Sequence, residues 1–413
     1  MKRLSISRVW LPGAILYACS AFYLLFQGGK TSLMLFVMLN ALILYLLLGR
    51  WSGIGGVQGS RSIALPNADS TLLAAGMRVQ VKLKIQVPGV WPVPYVIVRD
   101  RLFRPLADES QIYELSFVPD YRRRGEVVYE TAPLRRGHYR FETTHCSTRD
   151  IFGLFEHQGH FTEPMDIRVL PRMIALKDWQ MLRRSQRGVF QHTFTSKWAK
   201  ETTQIDGVRE YIHGDRMSRI HWNATAKSGE WKSKEYEREA LPRIVFVLDR
   251  HADSYTSPEQ FELAVSAAAS LLELVVQRGM PIGFVSCGSE PLWFGADRAP
   301  VIRDDVLRHL VDVEADGTTA LGHWVANAAE RFEPGVQVVV IGPLADDRLS
   351  QGFDLLEARR MIPSLLHIAD ASAGEERRRK FRQWQQLCQI KQWDCLSISR
   401  LEDLPAALGV ASA

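Results

Sequence analysis

The sequence predicts a mostly parallel, doubly wound α/β sheet in its carboxyl-terminal half. A small all-β, sandwich-like domain precedes it, and an amino-terminal two-helix transmembrane hairpin precedes that. Three observations predict this class: two charge-free, mainly apolar stretches within the first fifty residues, a strictly alternating segment at Met77–Val87, and a regular alternation of apolar strands with helical stretches beyond residue 240. The chain has 413 residues, 46% hydrophobic and 23% charged, which is enough apolar material for about two cores of ordinary size and excludes disorder as the dominant state.

Val9–Phe26 and Thr31–Leu48 are 18 residues each and are separated by Gln27, Gly28, Gly29 and Lys30. At about 1.5 Å per residue, each is just long enough to span a bilayer as a helix. The reading is a hairpin over residues 1–52, with Trp10 and Trp51 at the shared interface. Lys2, Arg3 and Arg8 precede the first stretch, and Arg50 and Arg61 follow the second, against Lys30 alone between them. The positive-inside rule then places both termini and the remaining domains in the cytoplasm. The five cysteines, Cys19, Cys146, Cys287, Cys388 and Cys395, are odd in number and include no C-x-x-C pair. That argues for a reducing compartment and against a zinc or disulfide framework.

In the second region, 60–175, Met77, Val79, Val81, Leu83, Ile85 and Val87 alternate with Arg78, Gln80, Lys82, Lys84 and Gln86, the pattern of a half-buried antiparallel strand. Further short runs at Tyr95–Val98, Ile112–Val118, Glu126–Glu130, His138–Glu142 and Ile167–Leu170, punctuated by Pro and Gly, complete the sandwich-like reading. Residues 181–204 are polar and aperiodic and read as a linker or mobile loop.

The last region, 205–413, contains the α/β rhythm. Ile244–Leu248 is a fully apolar strand. Ser257, Pro258 and Gln260 then give an N-cap, a first-turn proline and a capping-box glutamine, and Gly279 gives the stop. Strands are expected at Ile282–Ser286, Leu292–Phe294, Val336–Ile341, Leu365–Ile368 and Cys395–Ile398, with helices at Asp304–Val311 and Leu321–Arg331.

Several function classes are excluded early. Lys+Arg exceeds Asp+Glu by only 51 − 46 = +5, spread along the chain, so no nucleic-acid partner is expected. No G-x-S-x-G elbow, P-loop, H-E-x-x-H or dinucleotide fingerprint occurs. With no catalytic constellation, the chain does not read as an enzyme. The densest stretch of chemistry is Val208–Glu239, whose seven basic residues are nearly balanced by six acidic ones. This suits an ion-pair network or a polar docking face.

Within that stretch, Arg209, Tyr211, Gly214, Asp215, Arg219, Ile220, Trp222, Thr225 and Ala226 carry the run R-x-Y-x-x-G-D-x-x-x-R-I-x-W-x-x-T-A. This run resembles the signature of the bacterial domain-of-unknown-function 58 (DUF58) family. Arg135–Tyr139 and Thr148–Phe155 resemble a second family phrase. The resemblance implies a C-terminal domain like the von Willebrand factor A (vWA-like) fold and a seat at the bacterial inner membrane, in contact with the lipid bilayer. It also implies partnership with a MoxR-type AAA+ ATPase and with a transglutaminase-like membrane protein. A role as adaptor in the maturation of client proteins follows, with Arg209, Tyr211, Gly214, Asp215, Arg219, His221, Trp222, Thr225, Lys227 and Lys234 as the signature or docking residues.

The vWA resemblance further implies a Mg²⁺ site, built in intact members from D-x-S-x-S, a later threonine and an aspartate after the fourth strand. Here Asp249 fits the first position, while His251 and Asp253 replace the serines. Thr318 and Thr319 lie 69 and 70 residues beyond Asp249, and Ile341-Gly342-Pro343-Leu344 lacks the aspartate. The degenerate metal set is therefore Asp249, Asp253 and Thr318, with Arg250 beside it opposing a cation. Alternative readings are an enzyme using Asp215, Arg219, His221 and Asp249, or a purely structural membrane scaffold.

Overall fold

The computed structural model describes residues 6–49, 53–64, 73–150, 156–179, 200–213, 216–239, 243–295, 299–332, 334–370 and 374–409. The chain divides into two compact units, Met1–Leu170 and Pro171–Ala413. Most of the 181–204 linker lies outside the described residues, but its last five residues already belong to a strand.

The first unit opens with helices α1 (Ile6–Gln27) and α2 (Lys30–Gly49). The transmembrane reading of this pair is corrected: among the described residues, no helix is long and apolar enough to cross a membrane. Freedom from charge is weaker than the continuous apolar run that a span requires. Polar side chains interrupt both helices and satisfy themselves locally. Ser20 Oγ donates to the Tyr17 carbonyl at 2.9 Å, Ser32 Oγ to Gly29 at 3.0 Å, and Asn40 Nδ2 to Phe36 at 2.8 Å.

Ten strands follow: β1 (Gln58–Ala64), β2 (Leu73–Ala74), β3 (Gln80–Gln86), β4 (Val96–Arg104), β5 (Glu109–Phe117), β6 (Arg124–Glu130), β7 (Gly137–Phe141), β8 (Thr144–Arg149), β9 (Glu156–Phe161) and β10 (Met165–Leu170). One sheet runs β1-β3-β6. The other runs β2-β10-β7-β4-β8-β9, with β5 paired to β4. The alternation in β3 sends Val81, Leu83 and Ile85 into a core that also holds Val98, Leu102, Tyr139 and Phe141 of the second sheet. Each such side chain, fully buried, contributes roughly 1.5–3 kcal/mol. Arg61 of β1 crosses this core to Asp100 of β4.

The second unit begins sooner than the sequence suggests. Leu176 and Trp179 are buried in the α/β core, and Ile174 N donates to Ser270 Oγ at 3.2 Å. Residues 171–179 thus dock on the α/β unit, because two large apolar side chains find cover there. Next comes a two-stranded antiparallel ribbon, β11 (Lys200–Glu210) and β12 (Lys232–Glu239), whose connection carries the short helix α3 (Trp222–Ser228).

The main sheet is β15-β14-β13-β16-β17-β18, from β13 (Ile244–Asp249), β14 (Ile282–Cys287), β15 (Leu292–Phe294), β16 (Gln337–Gly342), β17 (Ile362–Ile368) and β18 (Asp394–Ile398). Only the β14–β15 pair is antiparallel. The helices are α4 (Pro258–Gln277), α5 (Ala299–Asp312), α6 (Leu321–Arg331), α7 (Asp347–Ala358), α8 (Glu375–Lys391) and α9 (Leu404–Ala407). Two separate cores show that both faces are covered. Phe246, Leu248 and Phe284 pack with α4 and α5, whereas Val245, Val247 and Val285 pack with α6, α7 and α8. Fully buried strands explain their unbroken apolar runs.

The Ser257 hydroxyl accepts from Gln260 N at 3.2 Å and caps α4 as its sequence implies. Gln260 does not close a capping box. Its Oε1 accepts from Thr256 N at 2.9 Å, and its Nε2 donates to the Ile368 carbonyl at 2.8 Å.

Candidate functional site

Strand order reverses at β13, which has β14 on one side and β16 on the other. The carboxyl ends of β13 and β16 therefore form the switch point where open α/β sheets place their ligands. Asp249 ends β13 there and is fully buried. Its Oδ1 accepts from the His251 amide at 2.9 Å, while Oδ2 is buried with no close hydrogen-bond donor among the described residues. Burial pushes its carboxyl up to about 6, against the opposing pull of the His251 amide and the Ser254 hydroxyl. The Tyr255 hydroxyl donates to the Asp249 carbonyl at 2.6 Å.

Gly342 stands at the end of β16, where an intact metal set would have its aspartate nearby. A Cβ on Gly342 would come within 2.8 Å of Asp249 Cβ and 3.2 Å of Oδ2. This glycine makes room for the Asp249 side chain. Asp346, four residues later, is committed elsewhere: its Oδ1 accepts from Leu349 N at 2.8 Å and caps α7.

Arg250 points away from Asp249. Its Nη2 donates to Asp316 Oδ1 at 2.6 Å, its Nε to the Glu314 carbonyl at 2.8 Å, and its Nη1 to Ser286 Oγ at 3.3 Å. Against burial, which would raise it, the Ser289 hydroxyl and Arg250 hold the Asp316 carboxyl below its ordinary value. The same loop runs beside residues 250–252, since Gly317 N donates to the Arg250 carbonyl at 2.8 Å and Ala252 N to the Gly317 carbonyl at 2.9 Å. It thus brings Thr318 alongside the turn Ala252–Ser254 that carries Asp253.

Asp253 and Thr318 are both exposed, while Asp249 is buried. Among the described residues, no three His, Cys, Asp or Glu side chains converge to hold a metal. The three candidate donors thus differ in burial, with Asp249 inside the fold and Asp253 and Thr318 at its surface.

The signature residues build a different place, on the β11–β12 connection. Val208, Arg209 and Glu210 pair with Lys234, Ser233 and Lys232. Ile220 is buried and bridges Ser233. His221 Nδ1 accepts from Ala224 N at 3.1 Å and caps α3. Thr225 Oγ1 accepts from Lys232 N at 3.0 Å, which ties α3 to β12. Arg219 is half-buried in the turn Met217–Arg219, whereas His213 and Lys227 are exposed and Lys234 half-buried. Gly214 and Asp215 lie outside the described residues.

The ribbon also presents an aromatic cluster. The Trp231 ring lies 5.6 Å from Tyr211 and 6.3 Å from Trp222, and both tryptophans are exposed. Residues 207–370 match the family described as protein of unknown function DUF58. Over this stretch the chain is similar to the DUF58 family. The stretch takes in the ribbon connection, the Asp249 crevice, Asp316 and Gly342.

Uncharacterized protein YeaD of Bacillus subtilis (strain 168) is 27% identical over 341 residues, 79% of this chain and 80% of that protein. An aerotolerance-related membrane protein from Bacteroides fragilis NCTC 9343 aligns at 15% identity and TM-score 0.29, over 41% of this chain and 95% of that one. Conserved hypothetical protein BatB from Bacteroides thetaiotaomicron aligns at 10% identity and TM-score 0.29, over 41% and 96%.

Three residues of the crevice were not legible in sequence as partners of Asp249 or Arg250. Gly342 reads only as the lack of an aspartate, although its missing Cβ is its contribution. Asp316 and Tyr255 are ordinary until the fold closes the loops. Trp231, outside the signature run, could have been flagged as a second tryptophan nine residues after Trp222.

Proposed function

We propose that the chain is a non-enzymatic adaptor whose DUF58 ribbon docks a protein partner, namely a MoxR-type AAA+ ATPase. The reading places it at the cytoplasmic face of a bacterial inner membrane, with a transglutaminase-like membrane protein as a second associate. The observation that carries it is the aromatic cluster in which half-buried Tyr211 packs beside the exposed Trp222 and Trp231. Tryptophan and tyrosine beside arginine are the composition of interface hot spots. Arg216 and Lys227 are exposed on the same connection.

An enzyme built on Asp215, Arg219, His221 and Asp249 has less support. The His221 ring is occupied as a helix cap, and the Asp249 carboxyl is buried with its Oδ1 taken by the His251 amide. The reading calls on no metal ion.

The test is a binding measurement between the full chain and a purified MoxR-type ATPase from the same bacterium. Trp222→Ala together with Trp231→Ala is expected to weaken the complex by roughly 30-fold or more, the effect of removing at least about 2 kcal/mol of hot-spot contact. Undiminished binding by a folded double variant would remove the ribbon from the interface, and absence of binding by the wild-type chain would remove the ATPase.

A further inference from the structure

Two turns of the first unit meet at one end of the β3–β6 pair and form a tip. One is the loop after β3, and the other is the turn between β5 and β6. Val87 N donates to the Arg123 carbonyl at 3.0 Å, and Arg123 Nε donates back to the Val87 carbonyl at 3.0 Å. Arg123 also donates from Nη1 to the Trp91 carbonyl. The second turn is closed on itself, with Asp120 N donating to the Arg124 carbonyl and Arg123 N to the Asp120 carbonyl, both at 2.8 Å. Arg123 holds φ 60° to do so.

This braced tip exposes three apolar side chains, Val90 at 96%, Tyr121 at 87% and Val118 at 74%. One exposed apolar residue needs no explanation, but three on two stapled turns do. Arg122 lies 5.3 Å over the Tyr121 ring, and Arg122 and Arg124 are exposed beside it. The nearby acid, Asp120, accepts from the Arg124 amide at 2.7 Å and serves the turn itself. The tip also adjoins the helix pair, because the Tyr45 ring of α2 lies 5.6 Å from Trp91. Leu33, Met34, Val37, Met38 and Leu44 of α2 are exposed.

Apolar side chains that protrude from turns and are flanked by arginine suit the bilayer boundary, where apolar bodies enter the headgroup layer and guanidinium groups meet phosphates. We propose that the tip formed by Val90, Val118 and Tyr121, with Arg122 and Arg124, docks on an anionic lipid surface. This extends the membrane placement proposed above and stands apart from the ATPase partnership.

The full chain is added to vesicles of phosphatidylcholine alone and of phosphatidylcholine mixed with phosphatidylglycerol, and the bound fraction is read by co-sedimentation. Wild type is expected to partition more strongly onto the anionic vesicles. Arg122→Gln with Arg124→Gln should lose roughly fivefold per arginine on those vesicles only, at about 1 kcal/mol for each cation. Val90→Asp with Tyr121→Asp should lose binding to both vesicle types. All these positions are exposed, so each variant should keep the wild-type unfolding midpoint. If wild type binds and the variants match it, the tip proposal falls and the membrane placement survives. If wild type binds neither vesicle, both fall. Tip variants that bind vesicles normally but lose the purified ATPase would assign the tip to a protein and overturn the lipid reading.

Discussion

Arg61 Nη2 donates to Asp100 Oδ1 at 2.7 Å, and both side chains are fully buried between the two sheets of the first unit. The pair is the centre of a network. Thr144 Oγ1 donates to the same Oδ1 at 2.8 Å, and the Tyr129 hydroxyl donates to Oδ2 at 2.6 Å. Arg61 and Tyr129 come from one sheet, and Asp100 and Thr144 from the other. Asp100 therefore couples the layers through directed bonds that apolar packing cannot supply. Burial first, then the nearby Asp100 charge and its hydrogen bond, drive the Tyr129 hydroxyl far above its ordinary value, so it remains a donor at every working pH.

Asp100→Ala should destabilise the first unit by about 3–5 kcal/mol, because it strands a buried guanidinium. Tyr129→Phe should cost about 1.5–3 kcal/mol, the value of one hydrogen bond to a charged acceptor. Urea denaturation of the full chain, followed by hydrogen exchange of β4 and β6 amides, separates these from effects on the second unit.

Asp249 makes stability depend on pH. Its folded carboxyl titrates at about 6 against an ordinary value of 3.8, so between those values the native state holds a proton that the unfolded chain has released. The unfolding free energy therefore falls as pH rises from about 4 to about 6 and levels off above. The total is on the order of 3 kcal/mol, at 1.36 kcal/mol for each pH unit. Asp249→Asn should flatten this slope and be the more stable protein at pH 7. A slope that is the same in wild type and variant would mean that Asp249 does not titrate there.

Gly342→Ala should cost about 1–3 kcal/mol, the usual range for overpacking a filled site. The added methyl would meet Asp249 Cβ at 2.8 Å. Thermal unfolding measures it, and a neutral substitution would show that the ends of β13 and β16 yield freely to a methyl group.

Calorimetric titration of the full chain with Mg²⁺ should give no saturable heat that disappears in Asp249→Ala. Asp253 and Thr318 are exposed, and among the described residues no three His, Cys, Asp or Glu side chains converge to hold a metal. Saturable binding abolished by that substitution would revive the ion site and redirect attention to a metal-bridged partner.

Local signals located many elements. Ser257 and Pro258 start α4, and Leu292–Phe294 and Leu321–Arg331 are a strand and a helix over those bounds. Strands β1, β8 and β9 escaped notice because QGSRSIA, THCSTR and EHQGHF lack a strong apolar alternation. Their neighbours in the sheets supply the ladder that makes them strands. The first fifty residues misled in the opposite direction, since absence of charge mimics a membrane span while serine and asparagine interrupt it.

The sequence by itself determined where apolar faces lie, where α4 is capped, and which stretch carries the DUF58 signature, because periodicity, capping and motif spacing are local properties. Only the tertiary structure decided that Arg61 reaches Asp100, that Arg250 turns to Asp316, that Gly342 clears space for Asp249, and that Tyr211, Trp222 and Trp231 share one surface. Those relationships join residues 9 to 93 positions apart. They depend on strand order and loop closure, which set distance and burial, and a linear pattern encodes neither.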